Sequence, residues 1–206
     1  MYYGSRLTFC LEDEEAYDSA RDKAVEYELA DFPQDVNLNA LVARASALRE
    51  GIPCSVATPN LDKTALASEM GNVNYHIELR FEDGVNWIAR IKRRNASIPP
   101  AAVREYMIRS EAATYRFLEK TDVPASKVFD FVVGSDNPVG IGYILTEMIP
   151  GRPLPSTSPT REQIQKMLAQ LADVYVELER YPLDAMGSLD QPSTDHIGAL
   201  ASEVPL

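Results

Sequence analysis

The sequence predicts an α+β fold in which a small antiparallel sheet carries one packed helix, with helical segments before and after it. Three observations lead there. Apolar residues recur at helical spacing up to about residue 50, change to strict alternation at Asn74, and then divide into two strand pairs around a helix. Asp83-Gly84 marks a tight turn inside the first pair, and Ser135-Asp136-Asn137-Pro138 marks a looser one inside the second.

Residues 12–30 carry helix-favouring Ala, Glu, Lys and Leu, and Glu12, Asp13, Glu14 and Glu15 supply carboxylates where a helix N-terminus favours them. A second helix over 37–50 is better marked. Leu38, Leu41, Val42, Ala45 and Leu48 form its apolar stripe, Asp35 or Asn37 can cap its start, and Gly51 followed by Pro53 stops it. From residue 74, Tyr75, Ile77, Leu79 and Phe81 alternate with Asn74, His76, Glu78 and Arg80, the pattern of a half-buried strand. Residues 85–91 should return from the Asp83-Gly84 turn as the other arm of a hairpin.

Pro99-Pro100 closes the link out of that hairpin, and residues 101–120 read as a helix with Val103, Met107, Ala113, Thr114, Phe117 and Leu118 turned inward. Strands are expected over 127–133 and 142–148, so the order is strand, strand, helix, strand, strand. A Pro/Ser-rich connector from Gly151 to Pro159 is the best candidate for a lobe boundary. Beyond it Ile164, Met167, Leu168, Leu171, Val174, Tyr175 and Leu178 form a strong helical stripe.

The formal net charge of -11 opposes encounter with nucleic acid or an anionic membrane. Cys10 and Cys54 have no Cys or His neighbour at metal-ligand spacing, which fits a reducing compartment. The first residues show no basic stretch leading into an apolar one, and no apolar run is long enough to cross a bilayer. The expected location is cytoplasmic.

A glycine turn between antiparallel strands, a cation on the next strand and a carboxylate on the next helix are the minimum equipment for gripping a triphosphate. Gly71, flanked by Asn72, can aim backbone N–H groups at phosphate oxygens. Arg90 stands where a strand could present its guanidinium to the α- and β-phosphates, and Glu111 lies mid-helix where it could orient that cation. Taken alone, Arg90 reads as a surface strand residue, Glu111 as a solvated helix residue and His76 as an exposed strand position.

The runs Met70-Gly71-Asn72-Val73-Asn74-Tyr75-His76, Phe81-Glu82-Asp83-Gly84-Val85-Asn86-Trp87-Ile88-Ala89-Arg90-Ile91, Ser110-Glu111-Ala112-Ala113-Thr114-Tyr115-Arg116-Phe117-Leu118 and Gly142-Tyr143-Ile144-Leu145-Thr146-Glu147-Met148-Ile149-Pro150-Gly151-Arg152-Pro153-Leu154 closely resemble the aminoglycoside phosphotransferase-like family in its fungal form. Shorter matches at 51–54, 170–173 and 187–189 carry the likeness along most of the chain. The resemblance implies a protein-kinase-like fold and transfer of the ATP γ-phosphoryl group to a small-molecule hydroxyl. It matches Arg90 to the phosphate-gripping cation and Glu111 to its helix partner. It also matches Thr146 to the gatekeeper, and Glu147 to Ile149 to the hinge whose backbone reads the adenine edge. The domains implied are a helical extension over 1–62, a kinase-like nucleotide-binding lobe over 63–151, and a connector with an incomplete helical lobe over 152–206.

The sequence departs from the family in three respects. The turn around Gly71 is poor in glycine, and the cation is Arg where protein kinases use Lys. More consequentially, no H-x-D…N segment follows the hinge: the one later histidine, His196, has no Asp two residues on. The catalytic base and the magnesium ligands are therefore absent, and ATP binding without turnover is the expectation for this truncated form. The alternative is a non-catalytic, pseudokinase-type interaction module that engages a protein partner, or itself, through the helix at 161–180. The acceptor, and ATP against GTP, stay open.

Overall fold

The computed structural model describes residues 14–56, 74–93, 99–151 and 159–201. Two helices open the described chain, α1 (Glu14–Asp35) and α2 (Leu38–Leu48). Asn37 caps α2, its side-chain oxygen accepting from the Ala40 N–H at 3.1 Å. Glu50 and Gly51 both take positive φ, 57° and 88°, so the chain reverses within two residues and enters β1 (Cys54–Val56). β2 (Asn74–Phe81) and β3 (Asn86–Lys92) form the expected hairpin, α3 (Ala101–Leu118) follows, and β4 (Val128–Val132) and β5 (Tyr143–Glu147) form the second pair.

The sheet is five-stranded and antiparallel in the order β1-β2-β3-β5-β4. With one helix inserted between β3 and β4, this is the α+β arrangement expected of a kinase-like N-terminal lobe. The pattern at 74 and beyond located four of the strands. It did not reveal β1, whose three residues follow Pro53 at the sheet edge and are too short to show a period. Because β1 pairs with β2 from Cys54↔Phe81 to Val56↔Leu79, the first helices lead directly into the sheet. The 62/63 boundary itself lies outside the described residues.

Strand alternation gives the sheet two unlike faces. Tyr75, Ile77, Leu79, Phe81, Trp87, Ala89, Ile91, Tyr143 and Leu145 point to one face, where Phe32 of α1, Val36, and Leu41 and Ala45 of α2 complete the main core. Trp87 stacks on Phe129 with ring centroids 3.9 Å apart. Three polar links fasten this layer. Arg49, past the end of α2, lies over the Phe81 ring and holds Asp83 of the hairpin turn through two hydrogen bonds of 2.9 and 2.7 Å. Arg44 reaches Asp130 at 2.7 Å, and the Asn37 N–H donates to the Val139 carbonyl at 2.9 Å.

The other face carries α3. Ile108 and Ala112 pack on Val128 and Ile144, while Ala113 and Phe117 turn away to meet Leu189 of a two-stranded ribbon, β6 (Ser188–Leu189) and β7 (Ile197–Gly198). The helix is thus gripped on two sides, which corrects the single inward face expected from its sequence. Thr114 is exposed, its hydroxyl donating to the Ser110 carbonyl at 2.9 Å, and the buried set is Ile108, Ser110, Ala112, Ala113 and Phe117. Gly142, just before β5, lies against this contact: a Cβ there would lie 2.6 Å from the Val133 carbonyl oxygen and 2.9 Å from Ile108, so no larger residue fits without backbone movement.

Beyond the connector, α4 (Arg161–Leu178) begins with a reciprocal capping box between Thr160 and Gln163. Its C-terminal end is held where buried Glu177 accepts from the Asp122 N–H at 3.0 Å and from Arg180 at 2.6 Å. The apolar stripe of its first four turns is uncovered, with Leu168 54% and Tyr175 63% exposed. No described helix is long and apolar enough to cross a membrane.

Candidate functional site

The α3 face of the sheet brings the sequence-predicted pair together. Alternation along β3 aims residue 90 at the helix, and the packing of Ile108 and Ala112 on the sheet sets Glu111 above it. Arg90 Nη2 lies 2.7 Å from Glu111 Oε1. A second cation, missed from the sequence, shares the same carboxylate: Lys92 Nζ is 3.2 Å from Glu111 Oε2. Period-two alternation puts 90 and 92 on one face, so the signal was present in the strand pattern. The side chains remain 28% (Arg90), 14% (Lys92) and 21% (Glu111) exposed, enough for a ligand to reach them and little enough that charge is poorly screened.

His76 of β2 lies directly across from Arg90 in the ladder. Its ring is half-buried, which corrects the exposed position expected for it. Burial, and secondarily the Arg90 charge, hold its pKa below the ordinary histidine value, with Glu111 partly opposing. His76 Nε2 and Arg90 Nε are both buried without a hydrogen-bond partner among the described residues. A buried donor left in that condition is costly and ready for an acceptor. Glu78, the other acid on this side of β2, is bonded instead to Arg80 at 2.7 Å.

Thr146 is buried on β5, opposite Ile88 of β3 and Val128 of β4, on the same face as Arg90. In the following segment the Glu147 N–H donates to the Lys127 carbonyl at 2.9 Å and the Met148 N–H to the Asn86 carbonyl at 3.2 Å. Ile149 is 55% exposed, and its N–H makes no hydrogen bond to a described residue. Of the three expected hinge positions it is the one whose N–H has no partner among the described residues, so it is the position best placed to meet a ligand acceptor. Gly71 and Asn72 lie outside the described residues. No three His, Cys, Asp or Glu side chains among the described residues lie together so as to hold a metal ion. His196 serves the β6–β7 ribbon, its Nδ1 2.7 Å from Asp190 Oδ1.

No protein-family model matches the sequence. Two curated relatives, the subtelomeric hrmA-associated cluster proteins of Aspergillus fumigatus strains A1163 and Af293, are each 34% identical over 122 residues, 58% of this chain. The matched stretch covers 23% of each relative's length. Among solved structures, one from Ralstonia eutropha JMP134 that carries the aminoglycoside phosphotransferase name aligns with a TM-score of 0.38 and 23% identity, over 60% of this chain and 32% of that one.

Proposed function

We propose that this chain carries the nucleotide-binding lobe of an ATP-dependent phosphotransferase of the aminoglycoside phosphotransferase type, acting on a small-molecule hydroxyl. The observation that carries the reading is the 2.7 Å contact between Arg90 and Glu111, the strand cation and helix carboxylate that phosphate grip requires. In the proposed complex Arg90 holds the α- and β-phosphates, Glu111 fixes the guanidinium, Thr146 bounds the base pocket and the Ile149 N–H meets the adenine edge. Bound nucleotide supplies a transferable phosphoryl group, while the residues of this chain bind and orient it. The 206 residues hold no H-x-D segment, so in this reading the chain binds ATP without transferring its phosphate.

Calorimetric titration with ATP tests the reading. Arg90→Ala and Glu111→Ala should each weaken binding, and the double variant should lose less than the sum because one group orients the other. Equal affinity in wild type and Arg90→Ala removes the pair from the site.

A second reading, an interaction module that engages a partner or another copy of itself, is supported by the uncovered stripe of α4. It predicts association that Arg90→Ala leaves unchanged.

A further inference from the structure

Glu111 is divided between two cations, one carboxylate oxygen to each, and this leaves the cluster with a surplus positive charge. Among the described residues neither Arg90 nor Lys92 has another acidic partner, and Glu78 is engaged by Arg80. A lone cation paired with one carboxylate would be neutral. Two cations and one carboxylate on a partly desolvated face favour an anion instead. Lys92 stands opposite Asn74, the first residue of β2, one alternation further along β3 than Arg90. The two cations are therefore spaced by about 6.6 Å of strand rise on one face.

We propose that Lys92 is a second phosphate-binding cation which, with Arg90, makes this face selective for nucleoside di- and triphosphates over monophosphates. The inference rests on the nucleotide reading above and deepens it. A single phosphate group satisfies one of the cations, whereas a chain of phosphates engages both. Lys92 is placed by Glu111 but is not needed to orient Arg90, which takes the other carboxylate oxygen.

The test is equilibrium binding of ATP, ADP, AMP and inorganic tripolyphosphate to the full chain and to Lys92→Met, Lys92→Arg and Arg90→Met, with thermal melts to confirm folding. Wild type should hold ATP, ADP and tripolyphosphate more tightly than AMP. Lys92→Met should lose on the order of 10- to 100-fold for the polyphosphates and little for AMP, with Lys92→Arg retaining most of the affinity. Should Lys92→Met fail to fold, Lys92→Gln takes its place with the same expectation. If the Lys92 variants keep full ATP affinity while Arg90→Met loses it, the second cation is refuted and the nucleotide reading stands. Lys92-dependent binding of tripolyphosphate with ATP no tighter keeps the cation pair and removes the nucleotide reading. Absence of binding by either ligand to wild type overturns both.

Discussion

The Arg93 guanidinium meets the Glu28 carboxylate at 2.8 Å, with only 9% and 4% of the two side chains exposed. It joins the chain just past β3 to α1, and both the Nε and Nη2 groups of Arg93 donate to the carboxylate. Tyr75 lies alongside, its ring 5.7 Å from the guanidinium carbon, and burial raises its hydroxyl pKa. A buried pair of this kind stabilises little relative to a well-packed apolar substitute, but removing one partner takes the nearest counter-charge from the other. Glu28→Ala should therefore cost about 3–5 kcal/mol. Glu28→Leu combined with Arg93→Met should recover a large part of that. Urea unfolding of the single and double variants checks this, and a Glu28→Ala loss below about 1 kcal/mol would mean the pair is solvated in solution.

His76 should make stability depend on pH. Its folded-state pKa lies below the ordinary value of 6.5, so the unfolded chain binds a proton that the folded chain refuses. Well above pH 6.5 both states are neutral at this residue and it contributes nothing to the pH dependence. As pH falls from there towards the folded pKa, stability is lost, with a limiting slope of about 1.4 kcal/mol per pH unit. His76→Gln should remove this component. Denaturant unfolding of both forms at neutral pH and near pH 5.5 measures it. Equal pH dependence would place the imidazole in water.

Catalysis should be absent from the isolated chain. With ATP, magnesium and a panel of aminoglycosides, amino alcohols and sugars, ADP release should not exceed the blank, because a general base alone is worth roughly 10²–10⁴-fold and this sequence positions none by an H-x-D motif. Turnover that persists through repurification and disappears in Arg90→Ala would show that another group on the chain acts as base.

β2 and β3 were legible in the sequence because each buries alternate residues, which writes a period of two into the chain. β4 and β5 lack that alternation and were marked instead by the Ser135-Asp136-Asn137-Pro138 turn between them. β1 was not, since three half-exposed residues carry no period. The face of α3 was misread for a different reason: packing against both Ile144 and Leu189 widens the buried arc, so Ile108, Ser110 and Ala112 are covered where a single stripe would leave them out. Arg90 and Glu111 were found because a charge on a half-buried strand and one on the facing helix have a chemical reason to meet. Lys92 was passed over and His76 was read as an exposed strand position, although alternation places both beside Arg90. What strand periodicity cannot give is the contact between Arg93 and Glu28, 65 residues apart, which makes the first helices part of the core.

The last expectation concerns α4. Ile164, Met167, Leu171, Val174 and Leu178 recur at alternating spacings of three and four, the seam of a helix pair, and the first three are 38, 42 and 47% exposed. Covering a large apolar side chain fully is worth about 1.5–3 kcal/mol, so several left open drive association of any chain that offers them. The helix is fixed to the rest of the fold near Glu177, leaving its N-terminal turns free to pair. The isolated chain should therefore self-associate at micromolar concentrations, and Leu171→Glu should return it to monomer without lowering its melting temperature, because Leu171 supports no contact in the core. Light scattering and thermal melts decide between outcomes. A wild-type monomer with a sharp cooperative melt, unaltered by Leu171→Glu, would mean that α4 folds back onto its own chain in solution.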